Sequence, residues 1–522
     1  MSDTCDSGEA SLANHYTALV EQVVARQQDD PFANPVLSVA LLISRQLEDG
    51  TLDAAGLAAL VRHLRDAAFE RRAARLAAYV GLLPGFDAIA RFSEIAQRLI
   101  RPDPHDSPVP LATFRDSVTR IRFAAVFTAH PTFALPPLLY GNLASLASGD
   151  GRLQCEISHR PGPITLDDEF IQATAAIARG RDALDLLNTA LLAAARSVWP
   201  GAWLGVVPQP IVLASWVGYD TDGRTDIDWF DTLRMRLRMK KLQLERARSQ
   251  AAAIEGAGPL ADRLADAAEA VAAQIEACPV KADADQAARF AAILIEERER
   301  AVLHPGDLDP LFEAAFRDAP AGNHLPLAVA RAGLRSHGLG LAHTHTRLNA
   351  TQIHNVARQR LGITDSPEDV SRRRALLAQI NEALDSVEPV PVDFGALLVE
   401  QVSAARLMMT VAQIVKHIDG ASPVRFLIAE TESGYTLLVA LWLARLFGIA
   451  DRIEISPLFE TADALERGIR VVDEAVRSPH FQAYLRRTGR LCLQFGYSDS
   501  GRYVGQLAAT YQIERLRLKI GE

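Results

Sequence analysis

The sequence predicts an α/β protein, predominantly helical, in which short buried strands alternate with long helical segments. Three observations carry this expectation. Six short apolar, β-leaning runs follow residue 120, and the segments between them are rich in Ala, Leu and Arg at helical period. Hydrophobic residues make up 49% of the 522 and charged residues 23%, enough apolar material for a large core. Parallel neighbours need a crossover connection, and a helix between two strands supplies one, so the runs read as parallel βα units. On spacing alone the sheet is either open or closed.

Residues 1–120 read as an N-terminal helical region. Apolar residues recur at helical spacing in 36–47 and 54–64, and Pro31, Pro35, Pro84, Pro102 and Pro104 punctuate the region. The second region, 121–522, holds the six strand runs at 124–130, 210–218, 340–347, 425–431, 452–460 and 491–499. Residues 135–205 and 226–335 are too long for simple crossovers and are expected to be helical insertions. Within the second insertion, basic residues recur among Leu and Met in 234–248. Arg234, Arg236 and Arg238 are spaced by about 200° on a helix, so they form no single stripe, and a solvated helix with snorkelling side chains is expected.

Lys plus Arg number 55 and Asp plus Glu 64, a net charge of −9 that disfavours a general polyanion binder, so no nucleic acid is expected as a partner. Cys5, Cys155, Cys278 and Cys492 lie far apart without a C-x-x-C pair, which implies reduced thiols and a cytoplasmic location. The N-terminus is acidic and has no early apolar run, unlike a signal peptide. No membrane span is expected either, because Pro131, Pro136 and Pro137 interrupt 123–140 and Arg445 interrupts 437–450.

Polar residues gather where the predicted strands end: His130, Asp220 with Asp222, Arg347, Glu430 with Glu432, Glu460 and Asp499. That is the end at which βα barrels carry their chemistry. In Phe127-Thr128-Ala129-His130-Pro131-Thr132 the alternation puts His130 at the strand mouth, and Pro131 ends the strand. The Asp220-Thr221-Asp222-Gly223 segment has ordinary turn and cap chemistry and lacks the distal Glu of a calcium loop. In His343-Thr344-His345-Thr346-Arg347 a period of two sets both histidines and Arg347 on one face. An inward arginine has to pair with a protein carboxylate or receive an anionic substrate. Glu460 and Asp499 each end a strand with a carboxylate, an oxygen pair suited to magnesium or manganese, or else to helix caps and ion pairs.

Taken together and in order, residues 127–132, 215–223, the strand ending at Arg347, 457–461 and 496–500 resemble phosphoenolpyruvate carboxylase. The resemblance covers roughly residues 120–515. It implies a (β/α)8-type TIM barrel, here incomplete with about six of the eight strands, carrying large helical insertions. It also implies an enzyme, a carboxy-lyase that joins bicarbonate to phosphoenolpyruvate and yields oxaloacetate and phosphate. By position, Glu460 and Asp499 match the divalent-metal ligands (Mg2+ or Mn2+), Arg347 a phosphate-binding arginine, and His130 the histidine implicated in carboxylation. Arg502 stands where the family has a lysine.

The chain departs from the family elsewhere as well. His343 and His345 replace an arginine and an aspartate, Phe133 replaces an acidic residue, and Thr221 and Arg224 alter the polar turn. The family's last strands and its glycine- and arginine-rich loop have no counterpart before residue 522. The expectation is therefore an oligomeric protein whose barrel is completed by a second polypeptide. Two alternatives stand beside it: a non-catalytic descendant that binds a phosphorylated acid or a partner, and a metal-dependent hydrolase using His343 and His345.

Overall fold

The computed structural model describes residues 14–521 except 15, 19, 22, 26–27, 31–33, 82–86, 104, 129–134, 154–156, 161, 223, 225 and 368. The chain forms two compact units, one of Met1–Asp87 with His130–Ile164, the other of Ala88–Ala129 with Thr165–Glu522.

The first unit is helical. Asp53 accepts a hydrogen bond from the Gly56 amide and so caps the helix Ala54–Val80, which ends where Gly81 takes a left-handed φ of 68°. Phe69 of that helix is buried in a small cluster with Leu135 and Leu139, the latter on the helix Pro137–Ser148.

The second unit is built on six parallel strands: β1 (Phe123–Phe127), β2 (Ile211–Ser215), β3 (His343–Asn349), β4 (Val424–Ala429), β5 (Ile453–Phe459) and β6 (Gln494–Phe495). Their spatial order is their chain order, and the sheet curls as an incomplete α/β barrel in a predominantly helical protein. The fold class read from the sequence is the one observed. Every residue of β5 is buried, and only Arg425 of β4 is not, as a sheet clad by helices requires. The helix Gly434–Leu446, apolar on nearly every face, packs on β5 and on the helix Arg373–Ser386. A single large core joins these elements.

Strand register arranges the inner face in tiers. His345 pairs with Arg425, which pairs with Glu454; one step up, Arg347 pairs with Leu427 and Leu427 with Ser456. Side chains at paired positions of parallel strands project to the same side. One strand at each end of the sheet, β1 and β6, has an edge without a partner among the described residues.

The basic stretch at 234–248 differs from the expectation. It lies on the helix Trp229–Ala252, whose Arg236 and Lys240 are buried. Arg236 pairs with Asp419 at 2.5 Å, and Lys240 Nζ donates to the carbonyls of Val302 and Ile418 at 2.6 and 2.7 Å. The lack of a clean basic stripe reflects a helix packed on several sides, whose inward cations Arg236 and Lys240 are individually satisfied. Among the described residues no helix is long and apolar enough to cross a membrane.

Candidate active site at the C-terminal ends of the strands

Each candidate side chain is placed at the end of a strand or in the helix that follows it. β5 hands over at Glu460 to Thr461, whose hydroxyl accepts from the Ala464 amide and starts the helix Ala462–Val476. The same hydroxyl donates to Glu432 at 2.9 Å, tying the ends of β4 and β5 together. Glu460 Oε1 accepts the backbone N–H of Glu430 at 3.1 Å. Glu430 presents that amide from a left-handed φ of 55°, a conformation costly for a residue with a Cβ.

Asp499 lies in the first turn of the helix Tyr497–Val504, where the positive end of the helix dipole favours a carboxylate. Gly496 precedes it and hugs Glu460: a Cβ at 496 would stand 2.6 Å from the Glu460 Cβ. Glu460 is only 7% exposed. Burial, reinforced by the neighbouring Asp499 carboxylate, pushes Glu460 up to about 7, against the opposing pull of the Glu430 amide and of Arg347. Asp499 stands near enough to raise the Glu460 carboxyl by its charge.

Arg347, at the end of β3, pairs with a carboxylate of the protein itself. Its Nε and Nη2 donate to Asp220 Oδ1 and Oδ2, both at 2.9 Å, and Asp222 stands 3.8 Å from Nε. The guanidinium lies 4.9 Å from the centre of the Trp216 indole. Burial lowers the basicity of Arg347, but the Asp220 hydrogen bonds and the surrounding carboxylates outweigh it and the net shift is upward. Asp222 in turn accepts from Asn349 Nδ2 at 3.0 Å. Arg502 sits at the periphery, 71% exposed and 3.7 Å from Asp499. His130 lies outside the described residues.

The structure thus gathers Arg347, Glu460 and Asp499 with Asp220 and Asp222 at one mouth. Asp220 is the residue whose part the sequence left as turn chemistry; its bidentate geometry becomes visible only once β2 and β3 are neighbours. The His343–His345 pair sits at the opposite end of β3. His343 Nε2 is 2.8 Å from the Ser336 carbonyl, and both rings line a cavity of about 270 Å3 with Arg425, Glu454, Arg490 and Cys492. Burial pushes His345 down to about 3 and also lowers His343, so both are neutral at ordinary pH. Among the described residues no group of three or more His, Cys, Asp or Glu side chains is arranged to hold a metal ion.

Residues 324–519, the span that contains β3 to β6 and all three of these side chains, match the family model for phosphoenolpyruvate carboxylase. The chain is similar to phosphoenolpyruvate carboxylases. The phosphoenolpyruvate carboxylase of Mycobacterium avium is 26% identical over 381 residues, covering 64% of this chain and 40% of that protein. That of Xanthomonas oryzae pv. oryzae is 29% identical over 199 residues, 36% of this chain and 21% of that one. That of Corynebacterium diphtheriae is 30% identical over 142 residues, 26% and 16% of the two chains. This chain spans 40% or less of the length of these relatives.

Proposed function

We propose that this chain carries the carboxylate-bearing part of a site that carboxylates phosphoenolpyruvate with bicarbonate. The pairing of Glu460 with Asp499 carries the reading. A buried carboxyl that holds its proton to about pH 7 beside a second carboxylate is a site where a cation can take the proton's place. The donors are all carboxylate oxygens, the set that magnesium or manganese accepts before completing its shell with water and substrate. Such an ion, when bound, supplies electrostatic stabilisation to negative charge developing on a substrate oxygen.

The rest of the chemistry falls to the chain's own side chains. Bicarbonate oxygen attacks the phosphorus of phosphoenolpyruvate, the bridging P–O bond breaks, and carboxyphosphate and pyruvate enolate result. Arg347 neutralises the phosphoryl oxygens during that transfer. His130, from its strand-end motif, takes the carboxyphosphate proton, so that carbon dioxide and phosphate part and the enolate carbon attacks the carbon dioxide. Arg502 keeps a positive charge beside Asp499 where the family has a lysine, with a planar fork in place of a compact ammonium. Among the described residues the mouth holds more carboxylates than free cations, so binding a phosphoryl group there calls for further positive groups beyond those described.

The test is phosphoenolpyruvate-dependent incorporation of labelled bicarbonate with Mg2+, for the chain alone and coexpressed with the reading frame that follows its gene. Fixation lost in Glu460→Gln and Asp499→Asn supports the reading; no fixation in either preparation defeats it. The neutralisation of Arg347 by Asp220 favours a second reading, a non-catalytic binder. Saturable phosphoenolpyruvate binding by the lone chain without turnover in either preparation would select it.

A further inference from the structure

β2 leaves the ladder after Ser215 and returns beside β3 within a few residues. Gly218 permits the return: its φ is 84°, and a Cβ there would lie 2.8 Å from Met235 Cγ. The Thr232 hydroxyl holds the turn by donating to the Gly218 carbonyl at 2.8 Å. Beyond it the backbone pairs again. The Arg347 amide donates to the Tyr219 carbonyl at 3.2 Å, and both the amide and the hydroxyl of Thr221 donate to the Arg347 carbonyl at 3.2 Å. Asp220 is thereby held directly beside Arg347 as an isolated bridge partner. The carboxylate meets the guanidinium fork to fork, through Nε and Nη2, and the indole of Trp216 lies against the guanidinium. Nη1 has no hydrogen bond to any described residue.

By charge alone, a carboxylate beside an anion-binding arginine opposes the anion. Its geometry works the other way. An arginine side chain has many rotamers, and ordering them at the moment of binding subtracts from affinity. A bidentate partner on rigid backbone orders them beforehand and leaves the third nitrogen available. We propose that Asp220 is a positioning residue, which locks Arg347 against Trp216 in the orientation that receives a phosphoryl oxygen through Nη1. The proposal rests on the reading of Arg347 as the phosphate-binding arginine.

Two measurements on the full chain test it. In calorimetric titration with phosphoenolpyruvate and Mg2+, Asp220→Asn is expected to weaken binding about tenfold, although the substitution makes the chain less negative. Binding as tight as wild type, or tighter, overturns the proposal, since a carboxylate acting only through its charge would give that result. The second measurement follows the Arg347 Nε–H in 15N-arginine-labelled protein, its signal identified by its loss in Arg347→Lys. Slow solvent exchange in wild type and fast exchange in Asp220→Asn support positioning; unchanged protection in the variant overturns it. Should wild type bind no phosphoenolpyruvate, the phosphate-binding reading fails, and the Nε–H signal still decides whether Asp220 orders Arg347. Where Asp220→Asn does not fold, Asp220→Glu serves both measurements, because it keeps the charge but moves the carboxylate by one methylene. It is expected to weaken binding and speed exchange, and wild-type values for both overturn the proposal.

Discussion

Between pH 4.5 and about 7 the Glu460 carboxyl is protonated in the folded chain and ionised in the unfolded one. The folded state then binds more protons, so stability falls as pH rises through this window, and the loss is complete above about 7. Asp499 adds to the effect; Arg347 and the Glu430 amide oppose it. Glu460→Gln mimics the protonated acid. It is expected to raise stability at pH 8 by about 2 kcal/mol and to change it little at pH 4, measured by chemical denaturation at both values. Mg2+ should stabilise wild type at pH 8 and leave the variant unmoved. Glu430 gives a second residue-scale expectation. Its amide must point at Glu460 from φ 55°, which glycine adopts without strain. Glu430→Gly is expected to stabilise by roughly 0.5–1 kcal/mol and Glu430→Val to destabilise, both read from denaturation midpoints.

At the scale of elements, the turn after β2 joins the sheet to the site. Gly218→Ala places a Cβ on Met235 and forces a left-handed φ on alanine. It is expected to cost about 2 kcal/mol or more and to lower phosphoenolpyruvate affinity by displacing Asp220, with melting temperature and calorimetry as the readings. Legibility in the sequence follows the same division. All six strands could be read, since runs such as Ile453–Phe459 are largely apolar and end in a polar residue before a capped helix. The last shrinks to Gln494–Phe495, where 491–499 looked like one strand, because Gly496 turns the chain against Glu460 and opens a helix. Arg347, Glu460 and Asp499 could be found as candidates because each is a charged residue at the close of an apolar or alternating run, although Asp499 opens a helix instead of ending a strand. The partnership of Asp220 with Arg347 could not: the two are 127 residues apart, and only topology makes them neighbours. Nor does composition reveal the φ of Glu430, which is set by the β4–β5 junction.

At the scale of the molecule, β1 and β6 each leave one edge of the sheet unpaired among the described residues, and apolar side chains stand exposed on β1 and on the last helix. Phe123 of β1 is 61% exposed. On the helix Gln506–Gly521, Leu507, Tyr511 and Leu518 are exposed within about 40° of one another, while Ala509, Ile513 and Leu516 are buried on its far side. Unpaired parallel edges beside apolar surface promote association. The lone chain is expected to self-associate with rising concentration in light scattering. The triple variant Leu507→Glu, Tyr511→Glu, Leu518→Glu should reduce this without loss of helical signal in circular dichroism.

The tier formed by His345, Arg425 and Glu454 sets a condition on anything that closes this sheet. Most barrels seal their bore with branched aliphatic side chains, but here Glu454 is shared by Arg425 and Arg490 at 2.8 Å each, and His345 Nδ1 has no hydrogen-bond partner among the described residues. A stave bearing only leucine and valine would bury two guanidinium groups against a single acid. A closing stave that carries an acid at this tier would balance that charge, where an all-aliphatic one would not.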